Sequence, residues 1–411
     1  MAQPLRLVAA LIGATTLALT TACGGGFDNS QQQQSGKADL QILIGSSGDA
    51  ETNAVKQAAA AWATASGNTA NVIPAQDIGQ QLGQAFAGGT PPDVFYVDAS
   101  RFADYASVGA LEPYADKVSG GVDDFYPALR STFTYQGKLY CIPKDFSTLT
   151  LQINNKLWAQ AKLTDADIPK TWDQLTVAAQ KLKAAGITPF TIGDTRDLIG
   201  AFMVAAGGWI VSDDGSQATA DTPQNLQALQ YVQGLLKNGL AVFPKQVDTG
   251  WGGEAFGKEK VAMSMEGNWI KGALQNDFPN VQYTVAPMPA GPAGNGTLSF
   301  TQCWGISAKS KFKEQAIKFV ETMTSADQQI AFAKAFGVMP SRASAKATYL
   351  QQFPKDQAFI DSAAFAQGPV NAPKMDSVLS DFDSQLQGLA TADPKAILQR
   401  LQQNTETALK G

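Results

Sequence analysis

Hydrophobic residues recur along this chain with two alternating periods. Asp39-Leu-Gln-Ile-Leu-Ile-Gly45 alternates into a first strand that ends at Gly45-Ser-Ser-Gly48. Val55, Ala58, Ala59 and Trp62 then recur at helical spacing. A short strand is expected at Asn71-Val-Ile-Pro74, then a helix through Ile78, Leu82 and Phe86 that stops at Gly88-Gly89. Asp93-Val-Phe-Tyr-Val97 reads as a buried strand ending at Asp98-Ala-Ser-Arg101. This strand–helix rhythm predicts an α/β lobe with a mostly parallel sheet. In such sheets ligands collect at the carboxyl ends of strands, which here means Ser46, Ser47, Asp98 and Arg101.

A change comes at Cys141-Ile-Pro-Lys-Asp-Phe-Ser-Thr148. The apolar run 139–142 is expected to enter a Pro143-Lys144-Asp145 turn, and Leu149, Leu151 and Ile153 to leave it as a strand. We read this stretch as a crossing into a second lobe, and Ser299-Phe-Thr-Gln-Cys-Trp-Gly-Ile306 as the crossing back. Between them the pattern is again α/β. Thr171-Trp-Asp-Gln174 is a capping box opening a helix through Leu175, Ala178 and Leu182, closed by Gly186. Strands are expected over 187–192 and 260–266, and a helix from Thr222-Pro223 to Gly239. A turn-rich loop, 287–296, precedes the second crossing. Beyond it, helices run through Ala316, Ile317, Val320 and Met323, and from a second capping box at Ser325-Ala-Asp-Gln328 to Phe336. The region 356–410 is helical, its last helix opening at Pro394.

Composition narrows the chemistry. The 411 residues suffice for two domains, and 31 basic against 36 acidic residues give a net charge of −5 with no basic stripe, which argues against a nucleic-acid partner. The chain has no histidine. That removes histidine-based zinc sites, Ser-His-Asp and Cys-His catalysis and histidine as a general base. Gly252-Gly-Glu-Ala-Phe-Gly-Lys258 has phosphate-loop spacing, but Glu259 stands where Ser or Thr must hold magnesium. We expect no cofactor and no metal.

Residues 1–22 read as a signal peptide: one positive charge, then a short apolar run over 7–19. Thr20-Thr-Ala-Cys23-Gly-Gly-Gly resembles a bacterial lipoprotein cleavage site, with Thr20 where that pattern usually has Leu. The resemblance implies lipidation of Cys23; the alternative is an ordinary secretion signal with an incidental cysteine. The polar stretch to residue 37 reads as a tether. Two cysteines remain, Cys141 and Cys303, one in each crossing. They are two buried thiols or, in an exported chain, a disulfide, which is what their shared position at the crossings leads us to expect.

Four motifs together resemble the family 1 extracellular solute-binding proteins of ABC importers, the group that includes maltose-binding protein. They are Pro91-Pro-Asp-Val-Phe-Tyr-Val-Asp98 with Gly109-Ala-Leu-Glu-Pro-Tyr114; Gly137-Lys-Leu-Tyr-Cys-Ile-Pro143 through Leu151-Gln-Ile-Asn-Asn-Lys-Leu-Trp158 with Lys170-Thr-Trp172; Ala255-Phe-Gly-Lys-Glu-Lys-Val-Ala-Met263 to Gly267-Asn-Trp269; and Trp304-Gly-Ile-Ser-Ala-Lys-Ser310. The resemblance implies a type II periplasmic-binding-protein-like fold: two α/β lobes, 38–142 with 301–338 and 143–300 with 339–411, joined by hinge crossings around a ligand cleft. It also implies a carbohydrate ligand, an ABC permease as partner, a monomer held at the outer face of the bacterial cell membrane through Cys23, and no catalysis. One departure is Gln152-Ile-Asn154, where many members carry Tyr-Tyr-Asn.

A sugar-binding cleft needs aromatic faces for the C–H surfaces of the ring and carboxylates or amides for its hydroxyls. By resemblance Trp269 is the stacking residue. Trp209 and Trp251 follow or precede glycines and are candidates, as is Trp304, which either faces the cleft or packs beside the cysteines. Trp62, Trp158 and Trp172 are assigned to packing. The polar candidates are Asp145, Thr148, Ser46, Ser47, Asp98, Arg101 and Arg342, each of which has a bland alternative as a cap, turn or surface group. Two other functions remain: the same fold with a non-sugar solute, and a secreted glycoside hydrolase using a carboxylate pair.

Overall fold

The computed structural model describes residues 37–410; the leader, Cys23 and most of the tether lie outside the described residues. Its strands are β1 Asp39–Ile44, β2 Thr69–Pro74, β3 Val94–Asp98, β4 Thr134–Tyr135, β5 Lys138–Leu139, β6 Ile142–Thr148, β7 Thr150–Asn154, β8 Phe190–Thr191, β9 Met263–Glu266, β10 Tyr283–Ala286, β11 Thr297–Ile306 and β12 Ala366–Gln367.

In β1 the side chains of Leu40, Ile42, Leu43 and Ile44 are buried, and in β3 so is every residue of Val94-Phe-Tyr-Val97, as a strand covered on both faces requires. β1 pairs in parallel with β2 and β3, and the helix Asp49–Ser66 buries Val55, Ala58, Ala59 and Trp62 along one stripe. The sheet continues through β11, antiparallel to β3. A second sheet has the order β10-β7-β9-β8. Each sheet has its own core. One joins Leu40, Phe95 and Ile142 with Cys303, Trp304 and Phe319; the other joins Leu151, Ile199 and Met263 with Leu298, Phe382 and Leu401. A third, smaller cluster draws Phe146, Ile330, Met339, Tyr349 and Phe359 together.

β6 and β11 run antiparallel from one core into the other, pairing Ser299 with Thr148 at one end and Trp304 with Ile142 at the other. The expected turn at Pro143-Lys144-Asp145 is therefore not a turn but the middle of β6. The irregular composition has another cause. Cys303 faces Pro143 and Gln302 faces Asp145, so Lys144 is an extra residue without a cross-strand partner. Such a bulge is where a sheet tolerates proline, which has no N–H to give to the ladder.

Other expectations hold with local corrections. Thr171 and Ser325 each accept from the backbone N–H three residues on, and Thr222-Pro223 opens its helix as read. The Gln174 side chain, however, accepts from Lys170 rather than from the cap, leaving half a capping box. The strands expected at 187–192 and 260–266 shrink to β8 and β9.

Cys141 and Cys303 form a disulfide with Cα atoms 5.8 Å apart, both side chains buried beside the crossing. It closes a loop across a sequence separation of 162. We predict that replacing both cysteines with Ser, or adding reductant under partial denaturation, lowers stability by about 2–5 kcal/mol. Urea melts with and without reductant measure this, and coincident midpoints would contradict it.

Candidate functional site

Between the two cores lies a cavity of about 1100 Å³. One wall comes from the ends of β1 and β3 and the helices that follow them, where Ser47, Glu51, Asp98 and Ser100 line the space. The opposite wall carries Trp209, Asn268, Trp269 and Lys271. The two crossing strands form the floor through Asp145, Phe146 and Ser147 of β6 and residues 298–302 of β11.

Charge concentrates where floor meets wall. Lys144, buried, reaches Glu51 Oε1 at 2.9 Å and Asp145 Oδ2 at 2.5 Å, and its ammonium lies 4.5 Å from the centre of the Tyr96 ring. Tyr96 in turn donates its hydroxyl to Glu51 Oε1 at 3.1 Å. Burial works to raise the Glu51 carboxyl, but the Lys144 charge and the hydrogen bonds from Ser47 and Lys144 outweigh it and hold the group below its ordinary value. Burial pushes Asp145 up despite the same ammonium. One cation thus serves two carboxylates; Glu51 already accepts from Lys144, Tyr96 and both the N–H and the hydroxyl of Ser47, so the acceptor positions left for the cavity are those of Asp145.

The aromatic side is set by Trp269. Its indole is 40% exposed, meets Phe300 edge to face at 5.1 Å, and donates Nε1–H to Glu266 Oε2 at 2.8 Å. The ring lies so close over Gly267 that a Cβ there would stand 2.2 Å from it. Asn268, next to them, is buried: its backbone N–H donates to the Ser147 hydroxyl at 3.0 Å, and its amide donates to Gly337 O at 3.0 Å, tying this corner to the floor and to the end of the helix Ala326–Phe336. Trp209 lines the same cavity with its indole N–H buried and unpartnered.

Of the residues read from sequence, the structure brings Ser47, Asp98, Asp145, Trp209 and Trp269 to the cavity. Asp98 also caps the helix Ala99–Ser107 by accepting from Ser100. The others stand elsewhere. Ser46 turns back to bond Gly48 O and Thr52 rather than lining the space. Arg101 is engaged by Asp376. Thr148 is buried and gives its hydroxyl to Phe359 O, because the strand pleat points it away from the cavity. Trp251 packs over Gly253. Trp304 belongs to the core, edge-on to Tyr96 and Phe319. Arg342 holds Asp124 and Thr324 O and lies over the Phe125 ring. Gln152, at the position of the absent tyrosine, is fully buried and bonded to Thr150 and Glu266 O.

Sequence reasoning passed over Glu51, Lys144, Phe300 and Glu266. Glu51 reads as an ordinary acidic residue in a first helical turn. Lys144 was hidden in the apparent turn. Phe300 and Glu266 look like routine members of strands.

A family model described as bacterial extracellular solute-binding protein matches residues 45–330. The chain belongs to the bacterial extracellular solute-binding proteins. A galactooligosaccharide-binding protein of Bacillus subtilis is 25% identical over 419 residues, covering 97% of this chain and 95% of the relative. The diacetylchitobiose-binding protein of Streptomyces coelicolor is 25% identical over 301 residues, 71% of this chain and 69% of the relative. Among solved structures, the cyclic α-maltosyl-1,6-maltose binding protein of Arthrobacter globiformis superposes with a TM-score of 0.81 at 21% identity, covering 91% of this chain and all of that one. The architecture of this solute-binding protein is thus the two-lobed type II arrangement, its lobes joined by the β6 and β11 crossings with the cavity between them.

Lys144 is the only ammonium bonded to Glu51 and Asp145 among the described residues. We predict that Lys144→Met lowers stability by about 3–5 kcal/mol at pH 8, since it leaves buried carboxylates uncompensated. The Glu51 contribution is present above its unfolded pKa and lost as pH falls through its lower folded value. The difference between variant and wild type therefore narrows toward pH 4. Urea melts at both pH values read it; a pH-independent difference would contradict this.

Proposed function

We propose that this solute-binding protein is the capture component of an ABC importer and that its ligand is a carbohydrate. The observation that carries the reading is one cavity with a half-exposed indole on one side and, on the other, polar groups of the Ser47, Glu51 and Asp145 corner, where the Asp145 carboxylate keeps acceptor positions. Apolar ring faces and hydroxyl donors are what such a pair of walls complements. The sugar-binding names of the relatives above support the same class. The proposed ligand contacts are Ser47, Glu51, Asp98, Asp145, Trp209, Trp269 and Phe300. The proposed lobes are 38–142 with 301–338 and 143–300 with 339–411, which close on the ligand by hinge motion at β6 and β11. The chain acts without catalysis, as a monomer, lipid-anchored through Cys23 at the outer face of the membrane, and hands its solute to a permease.

A thermal-shift panel tests the ligand class: maltose, maltotriose, N,N′-diacetylchitobiose and galactobiose against glycerophosphocholine, putrescine and a tripeptide. We expect a sugar to raise the melting point; at a hundredfold excess over Kd the stabilisation is about 2.7 kcal/mol. Stabilisation only by a non-sugar would overturn the carbohydrate reading. Trp269→Ala is expected to weaken sugar binding about tenfold, the loss of one aromatic face, measured by titration calorimetry.

A further inference from the structure

Glu266 is a buried carboxylate without a salt-bridge partner among the described residues, and it sits behind the cavity rather than in it. β9 ends on it, and three residues later comes Trp269. One oxygen, Oε2, accepts the indole N–H at 2.8 Å. The carboxylate also accepts the backbone N–H of Gly253, in the first turn of the helix Gly252–Gly257. Two glycines make this geometry possible. A Cβ on Gly252 would stand 2.5 Å from Glu266 Oε1, and a Cβ on Gly267 would stand within the Trp269 ring contact. An apolar residue at 266 would fill the same volume without burying a charged group, which carries a large desolvation cost. The position instead holds an acceptor that links the indole to a second element.

We propose that Glu266 is the positioning residue of the Trp269 platform, fixing the indole's angle to the cavity through its N–H while anchored on the Gly252–Gly257 helix. This rests on the carbohydrate reading for its consequence in binding but not for its geometry. Glu266 does not touch the ligand; it decides where the aromatic face lies.

The arrangement makes the platform sensitive to proton concentration. Burial raises the Glu266 carboxyl to about 7, against which the two hydrogen bonds pull only weakly. The neighbouring elements supply no competing charge directed at it. β7 and β8 carry no titratable side chain; on the Gly252–Gly257 helix Glu254 is bonded to Lys258 and Gly250; on Ile270–Asp277 Lys271 is bonded to Asp356. Because the folded value lies above the unfolded one, the protonated group contributes stability that is fully present below about pH 4.5 and lost as pH rises through about 7. Ionisation in turn strengthens the bond to the indole.

The test uses the full chain as wild type, Glu266→Gln, Glu266→Leu, Trp269→Phe and the double variants. Without ligand, the difference in tryptophan emission between wild type and Trp269→Phe isolates the indole at 269. Titrated from pH 5 to 9, it is expected to show a step near pH 7 that Glu266→Gln abolishes; a step that persists unchanged in Glu266→Gln overturns the proposal. With maltotriose and N,N′-diacetylchitobiose as probes at pH 8, Glu266→Leu is expected to weaken binding about tenfold. Glu266→Gln, which keeps an acceptor, is expected to stay within about threefold, and Glu266→Leu to cost nothing further in the Trp269→Phe background. An equal loss in both backgrounds overturns the proposal, whereas a pH step with no binding of either sugar upholds the positioning role and counts against the carbohydrate reading alone. Glu266→Gln and Trp269→Phe keep the test decisive if the leucine variant fails to fold.

Discussion

The antiparallel pairing of β6 with β11 is the interaction on which the rest of the molecule depends. It joins two cores whose other contacts pass around a cavity, it supplies the cavity floor, and it carries the disulfide. A pair of strands twists more readily than it shears, because shear breaks every ladder bond at once while twist shares the strain among them. A floor made of two strands is therefore firm along its length and compliant across it. The disulfide lies toward the core that contains Trp304, so it ties one end of the pair covalently, while residues 298–302 and 145–148 are joined by hydrogen bonds alone.

The bulge at Lys144 belongs to the same economy of parts. An inserted residue would ordinarily weaken a ladder, but here it frees a side chain that balances two carboxylates from different elements, Glu51 after β1 and Asp145 on β6. The result is a cavity corner that is polar, buried and fixed. Across from it the aromatic wall depends on close approaches that only glycine permits, at Gly252 and Gly267. The two walls are thus built by opposite means, one by adding a residue to a strand and the other by removing side chains from turns.

Much of the fold was legible because it follows from period. The alternation of β1, the buried run of β3 and the stripe through Val55, Ala58, Ala59 and Trp62 each admit one reading. The two crossings were legible as places where one pattern gives way to another, and the cysteines as a pair because each sits in one of them. The site was only half legible. Trp269 and Asp145 stand beside motif residues that draw notice, whereas Glu51 and Glu266 have roles that exist only through contacts with Tyr96, Lys144 and Gly253, from distant stretches of chain. Arg101, Arg342, Thr148 and Trp251 failed as cavity residues for a shared reason: chemistry that suits a ligand suits a neighbouring carboxylate, carbonyl or glycine equally well, and the fold had already used it.

The position of β11 also has a consequence for the newborn chain. β3 is complete at residue 98, but the strand that covers its open edge ends at 306, so roughly 200 residues must be made in between. At about 5–20 residues per second this is a wait of about 10–40 s. Through that interval β3 presents an unpaired apolar edge, and Cys141, once made, presents a thiol whose partner comes 162 residues later. The first half of the chain cannot mature before the second has largely been synthesised, so the two halves reach their final form together.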